Sequence, residues 1–380
     1  MKTVQELLID LIRIPSVSTL SNVPVVDYIV ATLDPKIWNL SRLSYRDTAG
    51  VLKQNLLATM NSNWDRPIEL ALVCHTDTVP YSEDWKEAVS PAIDEGTLFG
   101  RGACDVKGAL ACILRAAWET ADKARSLALV FTADEEIGCI GAKRLLAEKR
   151  IRPRFCIVSE PTQVRPVIGG KGYGLGEIAI YGTEAHSALP DLGHSAIYDA
   201  ALFIDRLKSV ATRLGQAENQ AFNPPFTTLN IGTIHGGTAK NIIPGECRML
   251  LEWRPIPGEA PDRIEREINQ ILADLKRADA QFAAEFNVLR NDSGFATDPN
   301  CELCKLIERL SELPATTASY GTEAPYFSRL GAETVVFGPG DMKVAHRSAE
   351  CVPLAELERA TDLLVQVIRE LCGKATAKRT

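Results

Sequence analysis

The stretch Leu70-Ala71-Leu72-Val73-Cys74-His75-Thr76-Asp77-Thr78-Val79-Pro80 constrains the fold more than any other part of the chain. Five apolar residues running into a histidine read as a strand buried on both faces, the pattern of a parallel sheet. In open α/β sheets, ligands bind beyond the carboxyl ends of the strands. His75 falls at such an end. Asp77 follows closely enough to hold its second ring nitrogen, as the outer carboxylate of a metal-bound histidine does. Alone, a His-x-Asp after a strand is more often structural, but here the pattern recurs.

Ser126 to Thr132 is a second apolar strand, and it runs directly into Ala133-Asp134-Glu135-Glu136. Phe155 to Ser159 is a third, ending in Glu160-Pro161-Thr162. Between the first two, Ala109, Ala111, Ile113, Ala116 and Ala117 recur at helical spacing and predict a buried helix over Val106 to Thr120. Asp105 then sits at or just before its N-terminus, where a plain N-cap is the competing explanation. A helix over Cys139 to Lys149 separates the second and third strands. Strands alternating with helices, with an acid or a histidine after each strand, predict a doubly wound, mostly parallel α/β sheet that presents ligands on one edge. Adjacent carboxylates usually form a solvated turn. At a sheet's carboxyl edge, one can bind metal while its neighbour handles protons.

Gly169-Gly170-Lys171-Gly172-Tyr173-Gly174 fits neither nucleotide fingerprint, because a strand-like run, Glu177 to Tyr181, follows where a helix would be required. It reads as a hinge. Beyond it, strands over Gly176 to Tyr181, Thr228 to His235 and Cys247 to Arg254 frame helices over Ser195 to Leu214 and Pro261 to Asp279. Residues 173–289 therefore form a smaller inserted α+β domain, and residues 1–172 and 290–380 the two parts of a catalytic domain. The latter carries helices over Val4 to Ile14, Val25 to Leu33, Cys301 to Leu313, Thr322 to Leu330 and Leu354 to Cys372, with strands over Asn55 to Met60 and Glu333 to Phe337. The sequence from Asp34 to Gln54 reads as irregular.

Charge narrows the partners. Forty-two Lys and Arg against 49 Asp and Glu leave the 380-residue chain at −7, which predicts no nucleic-acid and no membrane partner. No apolar run approaches the roughly 20 residues of a membrane span, and Glu6 and Asp10 interrupt an N-terminus unlike a signal peptide. Ten scattered Cys, several within apolar runs, favour reduced core thiols and a cytoplasmic location. Cys301-x-x-Cys304 lacks the second pair of a zinc ribbon and reads as packing.

The chain holds only five histidines: His75, His186, His194, His235 and His346. His75 and His346 both follow strands of the inferred sheet. With Asp105, Glu136 and Glu160 they supply nitrogen and oxygen ligands for two divalent ions sharing one carboxylate. Such donors without thiolates suit Zn²⁺, with Co²⁺ an alternative, in an open catalytic site.

The segments CHTDTVP, GRGACDVKG, TADEEIG, SEPT and the late AHR resemble those of the two-metal amidohydrolase family that includes acetylornithine deacetylases, succinyl-diaminopimelate desuccinylases, aminoacylases and carboxypeptidases. The similarity spans nearly the whole chain, with the motifs in the family's order. TLNIGTIHGG, YGTEAPYF and FGPG followed by AH are similar to the acetylornithine deacetylase branch. The family commonly has Ser or Ala where Cys104 stands, and Met where Val106 stands. The resemblance implies that His75 and Glu160 hold one ion, that Glu136 and His346 hold the other, and that Asp105 bridges both. It also implies that Asp77 orients His75, that Glu135 is general base and acid, and that the Asp105–Val106 peptide bond is cis.

The implied chemistry is amide hydrolysis by metal-bound hydroxide, two ions about 3.5–4 Å apart lowering the pKa of a shared water to roughly 7. His186 would stabilise the oxyanion, supplied from a partner subunit. Arg254 is similar to the family's ligand for the substrate α-carboxylate, with Asn241 a neighbouring contact, and Glu323 would receive a cationic substrate side chain. The expected substrate is a small N-acyl amino acid, acetylornithine first, with acetylcitrulline, broad aminoacylase and desuccinylase specificities as rivals. A homodimer is implied as well. A non-catalytic binding protein on the same fold is the competing class, and it would be expected to lack a ligand or Glu135.

Overall fold

The computed structural model describes residues 1–60, 67–148, 150–216 and 219–373. The predicted helix end at Lys149 lies outside them. The chain divides into two compact units, one of residues 1–168, 297–316 and 322–380, the other of residues 169–296 and 317–321.

In the first unit the sheet runs in the order Asn39–Arg46, Leu52–Thr59, Leu127–Thr132, Ile68–His75, Pro153–Val158, Glu333–Val336. The last four of these strands are mutually parallel; the first two are antiparallel to their neighbours. The fold is thus a mixed α/β sheet with a parallel centre. Leu70, Leu72 and Cys74 join the main core with Leu127, Leu129, Phe131, Phe155 and Ile157. The alternate residues Ala71, Val73, Ala128 and Val130 are equally buried on the opposite face, so the central strands read as continuous apolar runs. Helices Val4–Ile12, Lys107–Thr120 and Leu354–Cys372 interlock through Leu7, Leu11, Leu110, Ile113, Leu364 and Ile368. The first of them opens on a capping box between Thr3 and Glu6.

The register sets the functional edge. His75 pairs with Thr132, and Val73 pairs with both Val130 and Val158. Glu160, two residues past Val158, therefore falls level with His75, while Glu135 and Glu136 follow just beyond Thr132.

In the second unit, four antiparallel strands lie in the order Thr228–Gly236, Glu246–Arg254, Tyr173–Tyr181, Ala283–Asp292. One sheet face packs on helices Ala196–Leu214 and Arg263–Ala278 through Ile178, Phe203, Met249, Trp253, Ile264 and Ile268. Gly174 is required here, because a Cβ would overlap the Trp253 indole at 1.8 Å.

Three expectations need correction. The stretch read as irregular contains the strand Asn39–Arg46, whose mostly exposed polar residues give little hydrophobic signal. The inserted module has a fourth strand, Ala283–Asp292, none of it fully buried and without an apolar run that would mark it. Thr317–Gly321 belongs with the second unit rather than with the resumed catalytic domain: Thr317 and Ser319 donate to the carbonyls of Ala221 and Asn223. All ten cysteines are free thiols, most of them buried. No helix among the described residues is long and apolar enough to cross a membrane.

Candidate metal centre

His75 ends its strand fully buried, and its two ring nitrogens face different partners. Nε2 lies 3.1 Å from Asp105 Oδ1. Nδ1 lies 3.0 Å from the main-chain carbonyl oxygen of Asp77 and 3.6 Å from that residue's Oδ1. The second distance is too long for a hydrogen bond, so the contact expected from the Asp77 carboxylate is made by its backbone. The carboxylate itself accepts from Ser18 Oγ (2.7 Å) and from the backbone N–H groups of Glu135 (3.1 Å) and Glu136 (3.3 Å). Asp77 thus ties the end of one parallel strand to the acidic turn after the next.

Asp105 precedes a helix but does not cap it. The cap residue is Val106, without a side-chain cap bond, and the Asp105–Val106 peptide bond is cis. The Asp105 carboxylate is shared instead: Oδ1 faces His75, and Oδ2 lies 3.1 Å from His346 Nε2. That same Nε2 is 3.2 Å from Glu136 Oε2. His346 reaches this position from a left-handed backbone conformation, φ 60°. Ligand atoms of His75, Asp105 and Glu136 all lie within 4.8 Å of one another. Glu160 is buried beside them, and its carboxyl interacts electrostatically with Asp105, Glu135, His75 and Glu136.

The proton affinities reflect the negative charge gathered in the cluster. Burial opposes protonation of His75, yet the Asp105 carboxylate bonded to it and the Asp77 carboxylate close by outweigh that and hold the imidazole well above its usual value. Hydrogen bonds to Asp105 and Glu136 push His346 up to about 10. Burial, then the charges of Asp105 and Glu135, drive Glu160 well above the carboxylate range. Packed carboxylates favour positive charge among them, which a bound cation would supply. Glu136 Oε1 is also buried without a hydrogen-bond partner among the described residues. Two imidazoles and three carboxylates, with an orphaned acceptor among them, fit divalent cations.

Glu135 stands apart from this set. Its backbone is held by Asp77, and the Cys139 thiol donates to its Oε1 over 3.4 Å. Burial, with like charges at Glu136, Asp105 and Asp77, pushes its carboxyl up to about 7 against the pull of His75. Glu323, also fully buried, accepts from Thr132 Oγ1 (2.8 Å) through Oε2, while Oε1 is unpartnered among the described residues. Burial and then the Glu135 charge push it up to about 8.

The remaining singled-out residues lie in the second unit. His186 and Asn241 are neighbours there: His186 bridges to Ile242, and the Ser187 N–H donates to the Asn241 carbonyl at 3.0 Å. His186 is exposed, its Nδ1 accepting from the Ala188 N–H. Arg254 donates to Glu252 Oε1 at 2.7 Å and stacks 4.2 Å from the Tyr173 ring centroid.

Several supporting residues escaped the sequence reading. Asn55 donates to the Gly141 carbonyl and accepts from the Ala133 N–H, bracketing the acidic turn. Lys53, buried, pairs with Asp134 Oδ1 at 2.9 Å and donates to the carbonyls of Ser18 and Leu20. Tyr45 donates to the other Asp134 oxygen at 2.8 Å. Glu350 grips the turn that carries Asp105. The one available signal was a lysine inside a strand, Leu52–Thr59, whose later residues Leu56, Leu57 and Ala58 are apolar.

Acids and imidazoles gathered beyond the carboxyl ends of parallel strands place the chain among α/β proteins that bind ligands at that edge. The sequence pattern described as Peptidase family M20/M25/M40 matches residues 71–370, and the chain belongs to that family. The chain is 43% identical over 367 residues to an acetylornithine deacetylase of Myxococcus xanthus, covering 96% of this chain and 97% of that protein. Another acetylornithine deacetylase, from Proteus mirabilis, is 32% identical, covering 98% of each. Among solved structures, the aminopeptidase PepT of Bacillus cereus superposes with a TM-score of 0.78 at 22% identity, over 97% of this chain and 98% of that one.

Proposed function

We propose that the chain removes the acetyl group from N2-acetyl-L-ornithine, giving L-ornithine and acetate, a step of arginine biosynthesis. The observation that carries the reading is the single carboxylate of Asp105 shared between His75 and His346, with Glu136 beside it. The two full-length relatives named acetylornithine deacetylase support the choice of substrate.

In this reading His75 and Glu160 would hold one divalent cation and Glu136 and His346 a second, with the Asp105 carboxylate available to both. The donor set suits Zn²⁺ or Co²⁺. Bound there, such cations polarise an acyl oxygen and make water a nucleophile at neutral pH. Asp77 holds the Glu135 backbone, so that the carboxyl is placed to take a proton from the attacking water. As the C–N bond breaks, Glu135 returns that proton to the leaving amine. A carboxyl that exchanges its proton near neutrality suits both halves of this cycle. His186 donates to the developing oxyanion, Arg254 pairs with the substrate α-carboxylate, and Asn241 contacts it.

Glu323 reads the side-chain ammonium of ornithine; a cation beside its unpartnered oxygen would favour the ionised carboxylate. Glu323→Gln therefore lowers the preference for acetylornithine over acetylnorvaline by roughly ten- to hundredfold, the ~1.5–3 kcal/mol of a charged hydrogen bond. Steady-state kinetics on both substrates measure this; an unchanged ratio removes Glu323 from the role.

A homodimer, with His186 serving the partner's centre, is supported by apolar side chains left exposed in the second unit, among them Tyr198, Leu202 and Ile234. The free thiols suit a cytoplasmic location. One set of measurements on purified protein tests the reading: cation content, mass in solution, and acetate release from a panel of N-acyl amino acids. Two divalent cations per chain, a dimeric mass and acetylornithine as best substrate are expected. A cation-free protein that releases no acetate from any of the panel would overturn it.

A further inference from the structure

We propose that Glu350 is a positioning residue which locks Asp105 and His346 into the mutual geometry that holds cations. The proposal rests on the reading of the cluster as a cation centre. Glu350 is completely buried, four residues beyond His346 on the same loop. Its Oε1 accepts two successive backbone N–H groups, from Cys104 at 3.0 Å and from Asp105 at 2.8 Å. Its Oε2 accepts from Arg101 Nη1 at 2.6 Å, and its own carbonyl accepts the Gly100 N–H at 3.0 Å. The next residue, Cys351, pairs with Phe99 in a short antiparallel ladder.

Phe99, Gly100, Arg101, Cys104 and Asp105 are therefore each bonded to Glu350 or Cys351, at the end of the loop that delivers His346. This matters because Asp105 offers one oxygen to each histidine. Rotating its peptide plane would turn one oxygen away and misplace both pairs together. Two N–H bonds on one acceptor, from the two successive peptide planes that lead into Asp105, resist the rotation. Burying a carboxylate costs several kcal/mol, and an ordinary turn does not require one. Outer partners of metal ligands typically control affinity ten- to hundredfold.

The test compares Zn²⁺ affinity, measured on metal-stripped protein by competition with a chromophoric chelator, across three forms. Arg101→Met removes the ion pair but keeps the acceptor for both N–H groups. The double variant Arg101→Met/Glu350→Leu removes that acceptor too, without leaving a buried Arg unpaired, so it is expected to fold. Wild type and Arg101→Met should bind Zn²⁺ alike, and the double variant about ten- to hundredfold more weakly. Equal affinity in the double variant and Arg101→Met overturns the positioning role. So does a loss in Arg101→Met as large as that in the double variant. Should wild type bind no Zn²⁺, the cation reading itself fails, which is a separate outcome.

Discussion

Replacing Glu135 by Gln lowers turnover by roughly 10²–10⁴-fold, the usual contribution of a positioned general acid–base group, while cation content and fold stay as in the wild type. The reason is geometric. His75 and His346 lie against Asp105 and Glu136, whereas the Glu135 side chain accepts from the Cys139 thiol and its backbone N–H is held by the Asp77 carboxylate. A carboxamide occupies the same space and can still accept from that thiol, but it cannot carry a proton from water to amine. The neighbouring change, Glu136→Gln, has a different expected signature: a carboxylate charge 3.2 Å from His346 is lost from the proposed cation centre, so cation content falls along with rate. Acetate release and metal analysis on both variants separate the roles. Near wild-type turnover in Glu135→Gln would move the base elsewhere.

Lys53→Met destabilises the protein by about 3–5 kcal/mol, the cost of leaving one partner of a buried ion pair uncompensated. Lys53 and Asp134 are both essentially inaccessible and 2.9 Å apart. Asp134 also accepts from Tyr45, whose ring lies 4.2 Å from the Arg144 guanidinium. Asp134 itself adopts a left-handed backbone, φ 58°, immediately before Glu135, so the pair holds the bend from which both functional carboxylates project. Chemical denaturation measures the loss. The double variant Lys53→Met/Asp134→Asn recovers most of it, because both charges leave together. A loss below about 1 kcal/mol, the scale of an exposed pair, would mean that Asp134 finds another counter-charge.

The parallel centre of the sheet was legible because its strands are apolar on both faces, a pattern few other structures produce. Its edge strand Asn39–Arg46, and Ala283–Asp292 in the second unit's sheet, were not, since neither has the continuous apolar run of a strand buried on both faces. Among the acids and histidines, position after a strand was the informative signal. His75, Glu135, Glu136 and Glu160 each follow a strand of one sheet, so parallel pairing alone brings them to a common edge.

What the sequence determined, then, is which side chains stand at that edge, because strand order along the chain and the twofold alternation of side chains are local properties. Only the tertiary structure decided how those side chains are held. Asp77 turned out to grip His75 by its backbone and the acidic turn by its carboxylate, Lys53 to neutralise Asp134, and Glu350 to bind the Asp105 turn from 245 residues away. Each of these is a hydrogen bond or ion pair between distant segments. Its existence depends on distances of about 3 Å that no local pattern encodes.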